Sequence, residues 1–231
     1  MKKLSSLSIF FPCLNDGKIL PYLLAKTYWI APQVTQEFEV IIIENGSTDE
    51  TPQVLTMLES LYPGLRVIRL HKPLGYGGAL QQGFAQATKE WIFYTDGDGQ
   101  YDPLELRKLV EKINRKTDVV NGYKLNREDV WHRRFIGKMY NWVLQKRYHP
   151  PIRDVDCDFR LIRRSLIQKL TLESRSGTIC LELILKLQEA GARFAEVEVS
   201  HFPRVFGISE FFRLPRLLET LKDYWQFHLP T

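Results

Sequence analysis

Short apolar runs alternate with segments of helical period, and this predicts an α/β fold: a mostly parallel sheet with helices on both faces. The runs at residues 7–11 and 38–43 are mostly apolar rather than strictly alternating, which suits strands covered on both sides. Polar segments, most containing glycine, follow the runs directly. That is where open α/β sheets bind ligands, beyond the carboxyl ends of the strands.

The first run lies close behind Met1, Lys2 and Lys3, so residues 4–14 mimic the charged and apolar parts of a signal peptide. It ends in Pro12-Cys13-Leu14-Asn15-Asp16, which lacks the small residues of a cleavage site, so the run is read as a buried strand. Residues 17–30 follow as a helix and residues 38–43 (FEVIII) as the second strand. Residues 51–61 have apolar side chains at helical spacing: Val54, Leu55, Leu58 and Leu61. Residues 65–70 form the third strand, 78–88 a helix and 91–95 the fourth strand. Residues 103–115 form a helix with Asp102 as cap and Pro103 at the first helical position. Val119 and Val120 mark a fifth strand, and residues 130–148 are helical. Trp29, Trp91 and Trp142 lie in apolar periodic segments and are assigned to the core. From Pro215 onward Leu214, Leu217, Leu218, Leu221, Trp225 and His228 share one side of an amphipathic C-terminal helix, residues 213–231. Two readings stand for it: packing on its own domain, or lying in a membrane interface with Arg213 and Arg216 near headgroups.

The chain has 231 residues, 44% of them hydrophobic and 26% charged, so it has enough apolar surface to fold and is not globally disordered. No run reaches the ~18 apolar residues of a membrane span. Cys13, Cys157 and Cys180 are far apart with no CxxC spacing, which excludes a disulfide framework and a zinc finger and fits a reducing compartment. His71, His132, His149, His201 and His228 show no zinc-type spacing either. Thirty-two basic and 27 acidic residues give +5, which favours an anionic partner without choosing one. No basic-aromatic recognition motif appears, so nucleic-acid binding is the weakest reading.

Chemistry gathers after the strands. Pro12, Asn15 and Asp16 follow the first strand, and Glu44-Asn45-Gly46-Ser47-Thr48-Asp49 follows the second. Ser47, Thr48 and Asp49 suit a helix start, whereas Glu44 is a carboxylate at a strand's carboxyl end. After the third strand comes Leu74-Gly75-Tyr76-Gly77-Gly78-Ala79, whose glycines allow close backbone approach to a ligand at a helix N-terminus. It lacks the ending of a P-loop and the position of a dinucleotide fingerprint. Thr95-Asp96-Gly97-Asp98-Gly99-Gln100 follows the fourth strand. Two carboxylates two residues apart can turn toward one hard cation, magnesium or manganese, which keeps positions open for phosphates. A solvated turn is the bland alternative, and the calcium-loop consensus fails at Gln100 and Tyr101.

Taken in order, these segments resemble the family-two glycosyltransferases of the GT-A fold, a Rossmann-like architecture, and within them the polyprenyl-phosphate sugar transferases. SIFFPCLND, ENGSTDET, LGYGGALQQGF and TDGDGQYDP each resemble a family motif, as do RDVDCDFRLIRR (153–164) and VEVSHFPRVFGISEFF (197–212). Leu14 stands where tyrosine is common, Glu44-Asn45 replaces Asp-Asp, and Pro73 lies near the usual asparagine. The resemblance implies a transferase domain over residues 1–212, followed by the C-terminal helix without the transmembrane helices many relatives carry. It implies a nucleotide-diphosphate sugar as donor, with Pro12, Leu14, Asp16, Glu44, Gly75, Gly77, Asp96 and Gly97 around it. Asp96, Asp98 and Gln100 would form the Mg2+ or Mn2+ site, and Arg204 would hold phosphate. The expected setting is the cytoplasm, including peripheral attachment to the cytoplasmic membrane face.

The resemblance also implies a polyprenyl-phosphate acceptor and an inverting displacement. A phosphate monoester has a second pKa near ~6, is largely dianionic at neutral pH, and needs no general base. A hydroxyl acceptor would need one, and Asp154 and Asp158 are the candidates, with capping or ion pairing as their alternative. Lys124, Arg127 and Arg134 are candidate phosphate ligands or plain surface charges. Glu182, within ICLELILKL, is either on an exposed face or an acceptor-site acid. Two other functions stay open at this point: a soluble transferase with a hydroxyl acceptor, and a non-catalytic nucleotide-sugar-binding subunit.

Overall fold

The computed structural model describes residues 3–127 and 144–206, with the backbone alone for 125–127. Its centre is a seven-stranded sheet with spatial order β3-β2-β1-β4-β6-β5-β7. The strands are β1 (Leu4–Cys13), β2 (Thr35–Glu44), β3 (Leu65–Arg69), β4 (Trp91–Thr95), β5 (Val119–Arg127), β6 (Phe159–Arg163) and β7 (Phe194–His201). The helices are α1 (Leu20–Val34), α2 (Thr51–Leu61), α3 (Gly75–Gln86), α4 (Leu106–Lys112), α5 (Arg164–Ile167) and α6 (Ile179–Glu189).

The central parts of β1 and β2 are mostly apolar because both faces are covered. Leu7, Ile9 and Phe11 of β1, with Val40 and Ile42 of β2, pack on a core that includes Leu20 and Leu24 of α1, Leu55 of α2 and Leu109 of α4. The intervening Phe10, Ile41 and Ile43 face the opposite core, with Leu80 and Phe84 of α3 and Leu183 and Ile184 of α6. Alternate residues thus serve two cores, as the two-residue period of a strand requires.

Among the described residues the predicted elements are present, with shifted ends. Asp102 caps as expected, its carboxylate accepting from the Leu104 N–H at 3.0 Å. The helix it opens is a 3-10 turn at Pro103–Glu105 followed by the seven residues of α4, shorter than the sequence suggests. α3 begins at Gly75, so the glycine segment is the first turn of the helix rather than a loop before it. Trp91 is buried, but Trp29 is 59% exposed and not core, and Leu61 is likewise exposed. Of the predicted helix at 130–148, residues 144–148 are described and helical. Trp142 and the C-terminal segment 213–231 lie outside the described residues.

Direction matters most for the site. β1 pairs parallel with β2 and with β4, so their carboxyl ends share one edge. β6 runs antiparallel to β4 with Phe159 opposite Thr95, which delivers residues 154–158 to that same edge. β5 is antiparallel to β6 and parallel to β7, so Lys124 and the segment after His201 also arrive there. The strand order switches at β1, between β2 and β4, and the crevice beyond such a switch is the expected ligand position.

Candidate active site

Two chain segments cross tightly at the switch point. The Gly97 N–H donates to the Pro12 carbonyl at 3.1 Å, and a Cβ on Gly97 would lie 2.7 Å from that oxygen. This contact sets the loop after β4 against the loop after β1. Asp96 and Asp98 flank the crossing, and Asp16 lies at the end of the neighbouring loop. Asp16 is buried and accepts from the Leu14 N–H at 3.0 Å.

Arg204 joins these segments. One guanidinium nitrogen pairs with Asp16 Oδ1, and the other lies 3.9 Å from Asp98 Oδ2. Its Nε donates to the Phe206 carbonyl at 2.9 Å. The strap carrying it is fixed through Gln100: the Phe202 N–H donates to the Gln100 carbonyl at 2.8 Å, and the Gln100 side-chain amide donates to the Phe202 carbonyl at 3.0 Å. Gln100 was expected at the metal, but here its amide holds the arginine strap.

The carboxylates are electrostatically strained. Burial pushes Asp16 up to about 6, against the opposing pull of the Leu14 N–H and Arg204. Burial and then the charges of Asp158 and Asp98 hold Asp96 well above its ordinary range, opposed by the Tyr76 hydroxyl and Lys124. Asp98 is raised mainly by burial, opposed by the Gln100 N–H, Arg204 and Lys124. A hard divalent cation fits this all-oxygen pair because it would relieve both burial and mutual repulsion. Among the described residues no group of three or more His, Cys, Asp or Glu side chains could hold a metal by itself. Asp96 and Asp98 would therefore share the ion with water and phosphate oxygens.

Several expected residues have other work. Glu44 accepts from the Ser47 N–H at 2.5 Å and shapes its own loop. Gly75 and Gly77 do permit a close approach, but to protein: the Gly77 N–H donates to the Arg175 carbonyl at 2.9 Å, and a Cβ at either glycine would strike the Ser174–Arg175 backbone. Glu182 is buried, not on an exposed face. It accepts from the Glu173 and Ser174 N–H groups at 2.8 Å each and pairs with Lys186 at 2.7 Å, so its oxygens are committed to the 171–174 loop rather than to an acceptor. Lys124 reaches the Asp156 carbonyl at 2.8 Å, and its N–H donates to Asp154 at 3.3 Å. Leu14 is partly exposed beside Asp16. The side chain of Arg127 and all of Arg134 lie outside the described residues.

Asp158 belongs to a buried network, and its ion pair with Arg160 is the ion-pairing alternative to a general base. It accepts from the Tyr94 hydroxyl at 3.1 Å, pairs with Arg160 at 3.2 Å, and has the Cys180 thiol at 3.3 Å. Arg160 is fully buried and also reaches Asn121 at 2.5 Å, the Tyr94 hydroxyl and the Val155 carbonyl. Arg160 lies within the RDVDCDFRLIRR motif, but nothing in the sequence shows that it is fully buried. All three cysteines are buried free thiols.

The doubly covered sheet with its strand switch at β1 is a fold that known structures share. Glucosyl-3-phosphoglycerate synthase from Mycobacterium tuberculosis, in complex with Mn2+, uridine diphosphate and glucosyl-3-phosphoglycerate, superposes with a TM-score of 0.74 at 16% identity, covering 97% of this chain and 81% of that one. The same enzyme with Mn2+ and UDP-glucose gives 0.70 at 17% identity, covering 96% and 77%. Residues 8–171 match the model of glycosyl transferase family 2, and the chain belongs to that family. Among its relatives is the undecaprenyl-phosphate 4-deoxy-4-formamido-L-arabinose transferase of Serratia proteamaculans, 30% identical over 226 residues, 96% of this chain and 68% of that protein. The protein of that name from Proteus mirabilis is 28% identical over 211 residues, 91% of this chain. The chain spans 64% of the Proteus protein's length.

Proposed function

We propose that the protein transfers a sugar from a nucleotide-diphosphate donor to a polyprenyl phosphate, with inversion at the anomeric carbon. The observation that carries the reading is Arg204 lying between Asp16 and Asp98 at the strand-switch edge. It puts a planar phosphate-binding fork beside a carboxylate pair suited to a divalent cation. The names of the relatives, undecaprenyl-phosphate sugar transferases, support the acceptor.

Asp16 and the loop after β1 would border the nucleoside. Asp96 and Asp98 would hold Mg2+ or Mn2+, which supplies neutralisation of the charge growing on the leaving diphosphate. Arg204 would exchange its carboxylate partners for phosphate oxygens, so donor binding and release of Asp16 are coupled. The acceptor phosphate attacks the anomeric carbon as a dianion and needs no protein base. Asp158 fits this scheme, since its two oxygens are already engaged by Tyr94, Arg160 and Cys180. Among the described residues no helix is long and apolar enough to cross a membrane.

The test is a transfer assay with polyprenyl phosphate in detergent or vesicles, a panel of nucleotide sugars, and Mn2+ or Mg2+. A sugar-phosphate-lipid product of inverted configuration is expected. Transfer to hydroxyl acceptors alone would overturn the reading in favour of a soluble transferase. Nucleotide-sugar binding without transfer to any acceptor would favour a non-catalytic subunit.

A further inference from the structure

Tyr76 lies in the glycine-rich turn, and its hydroxyl donates to Asp96 Oδ1 at 2.7 Å. Both chain neighbours of this tyrosine are pinned from outside its own helix. On one side, the Asn45 side-chain amide donates to the Gly75 carbonyl at 3.1 Å, and its oxygen accepts from the Leu74 N–H at 2.9 Å. Asn45 is itself buried and its N–H donates to the Cys13 carbonyl, so the end of β1, the end of β2 and the start of α3 are locked together. On the other side, the Gly77 N–H donates to the Arg175 carbonyl, in a loop that Glu182 holds through two backbone N–H groups. Gly75 takes a φ of +74°, a conformation that a side chain would resist, and a Cβ there would also strike the Arg175 carbonyl.

A surface tyrosine needs none of this. We propose that Tyr76 is a positioning residue that fixes the Asp96 carboxylate for divalent-cation binding, and that Asn45 acts through it. The inference rests on the assignment of Asp96 and Asp98 to the cation. One oxygen of Asp96 is held by the phenol, which orients the other for the ion and lowers the cost of keeping the carboxylate charged before the ion arrives. An asparagine is required at position 45 because the site needs a donor toward the Gly75 carbonyl and an acceptor toward the Leu74 N–H. An aspartate there would set an acceptor against a carbonyl. This gives a physical reason for an asparagine rather than an aspartate at position 45.

The experiment is a Mn2+ titration in the presence of uridine diphosphate, read by the loss of free-Mn2+ electron paramagnetic resonance signal, on wild type, Tyr76→Phe, Asn45→Asp, the double variant and Asp98→Ala. Tyr76→Phe is expected to bind Mn2+ about tenfold more weakly, the size of one hydrogen bond to a charged group, with its thermal midpoint almost unchanged. Turnover should recover at high Mn2+. Asn45→Asp should weaken Mn2+ binding alone but add little in the Tyr76→Phe background, because one network carries both effects. Equal Mn2+ affinity in wild type and Tyr76→Phe would overturn the positioning role. Independent, additive effects would remove Asn45 from it. A wild type that takes up no Mn2+, or an Asp98→Ala variant that binds normally, would instead overturn the cation assignment underneath.

Discussion

Arg204 pairs with Asp16, a residue 188 positions earlier in the chain, and its second nitrogen lies 3.9 Å from Asp98. The arginine therefore bridges the loop after β1 and the loop after β4. It sits where a diphosphate and its cation would meet the protein, and an anionic ligand would compete with both carboxylates for it.

Arg204→Ala should lower kcat/KM by roughly 10–100-fold, the loss of one or two hydrogen bonds to a charged group. Arg204→Lys should recover only part, because an ammonium cannot span two partners in a fork. Steady-state kinetics with varied nucleotide sugar checks this, and full activity in Arg204→Ala would leave the arginine a structural clamp.

Asp98→Ala should abolish turnover and the Mn2+-enhanced binding of nucleoside diphosphate while leaving the fold intact. Calorimetry with and without Mn2+ measures the second effect separately from activity. Turnover that persists undiminished in chelator would contradict the cation site.

Asp16 gives a pH dependence of definite sign. Its carboxyl is raised from 3.8 to about 6 by burial, so the folded protein binds this proton more tightly than the unfolded chain. Stability from this group is greatest below pH 3.8 and falls as pH rises through about 6, with a slope no larger than about 1.4 kcal/mol per pH unit. Asp96 and Asp98 are raised too and contribute in the same direction. Urea unfolding of the metal-free protein between pH 5 and 7 should show a shallower decline in Asp16→Asn than in wild type. Identical slopes would mean that Asp16 titrates normally.

Glu182→Ala should destabilise the fold by about 2 kcal/mol, since it strips acceptors from two backbone N–H groups and a partner from Lys186. Glu182→Gln should cost less, because the amide keeps one acceptor oxygen. Denaturant midpoints measure both. Activity should fall as well, because the Arg175 carbonyl in this loop holds Gly77.

The four parallel strands β1 to β4 and the loops after them were legible because apolar runs and polar punctuation are local signals. β6 and β7 were not, since Phe159–Arg163 and Phe194–His201 mix charges into the strand and pair only through distant neighbours. Arg160 shows why: its charge disguises a fully buried strand position that is satisfied by Tyr94, Asn121 and Asp158. The resemblance names Asp16, Asp96, Asp98 and Arg204, and the structure brings these side chains close together. Glu182 was misjudged because its partners are backbone N–H groups, which no side-chain pattern reveals. Gly75 and Gly77 were expected to approach a ligand, and a sequence cannot show that the segment lying against them is 174–175 of the same chain. The same limit applies to Asp158. Its Asn variant would uncover the charge of buried Arg160, so loss of activity there would not by itself identify a base.

On the proposed function, the β1–β4 edge holds a cation and diphosphate through Asp96, Asp98 and Arg204. Its most direct test is a crystal structure with Mn2+ and a nucleoside diphosphate, with the metal located by anomalous scattering. An anomalous peak is expected within ligand distance of Asp98 and Asp96, with the diphosphate on that metal and Arg204 moved from Asp16 onto phosphate oxygens. Diphosphate bound elsewhere, or a metal away from both carboxylates with the Arg204–Asp16 pair intact, would contradict it.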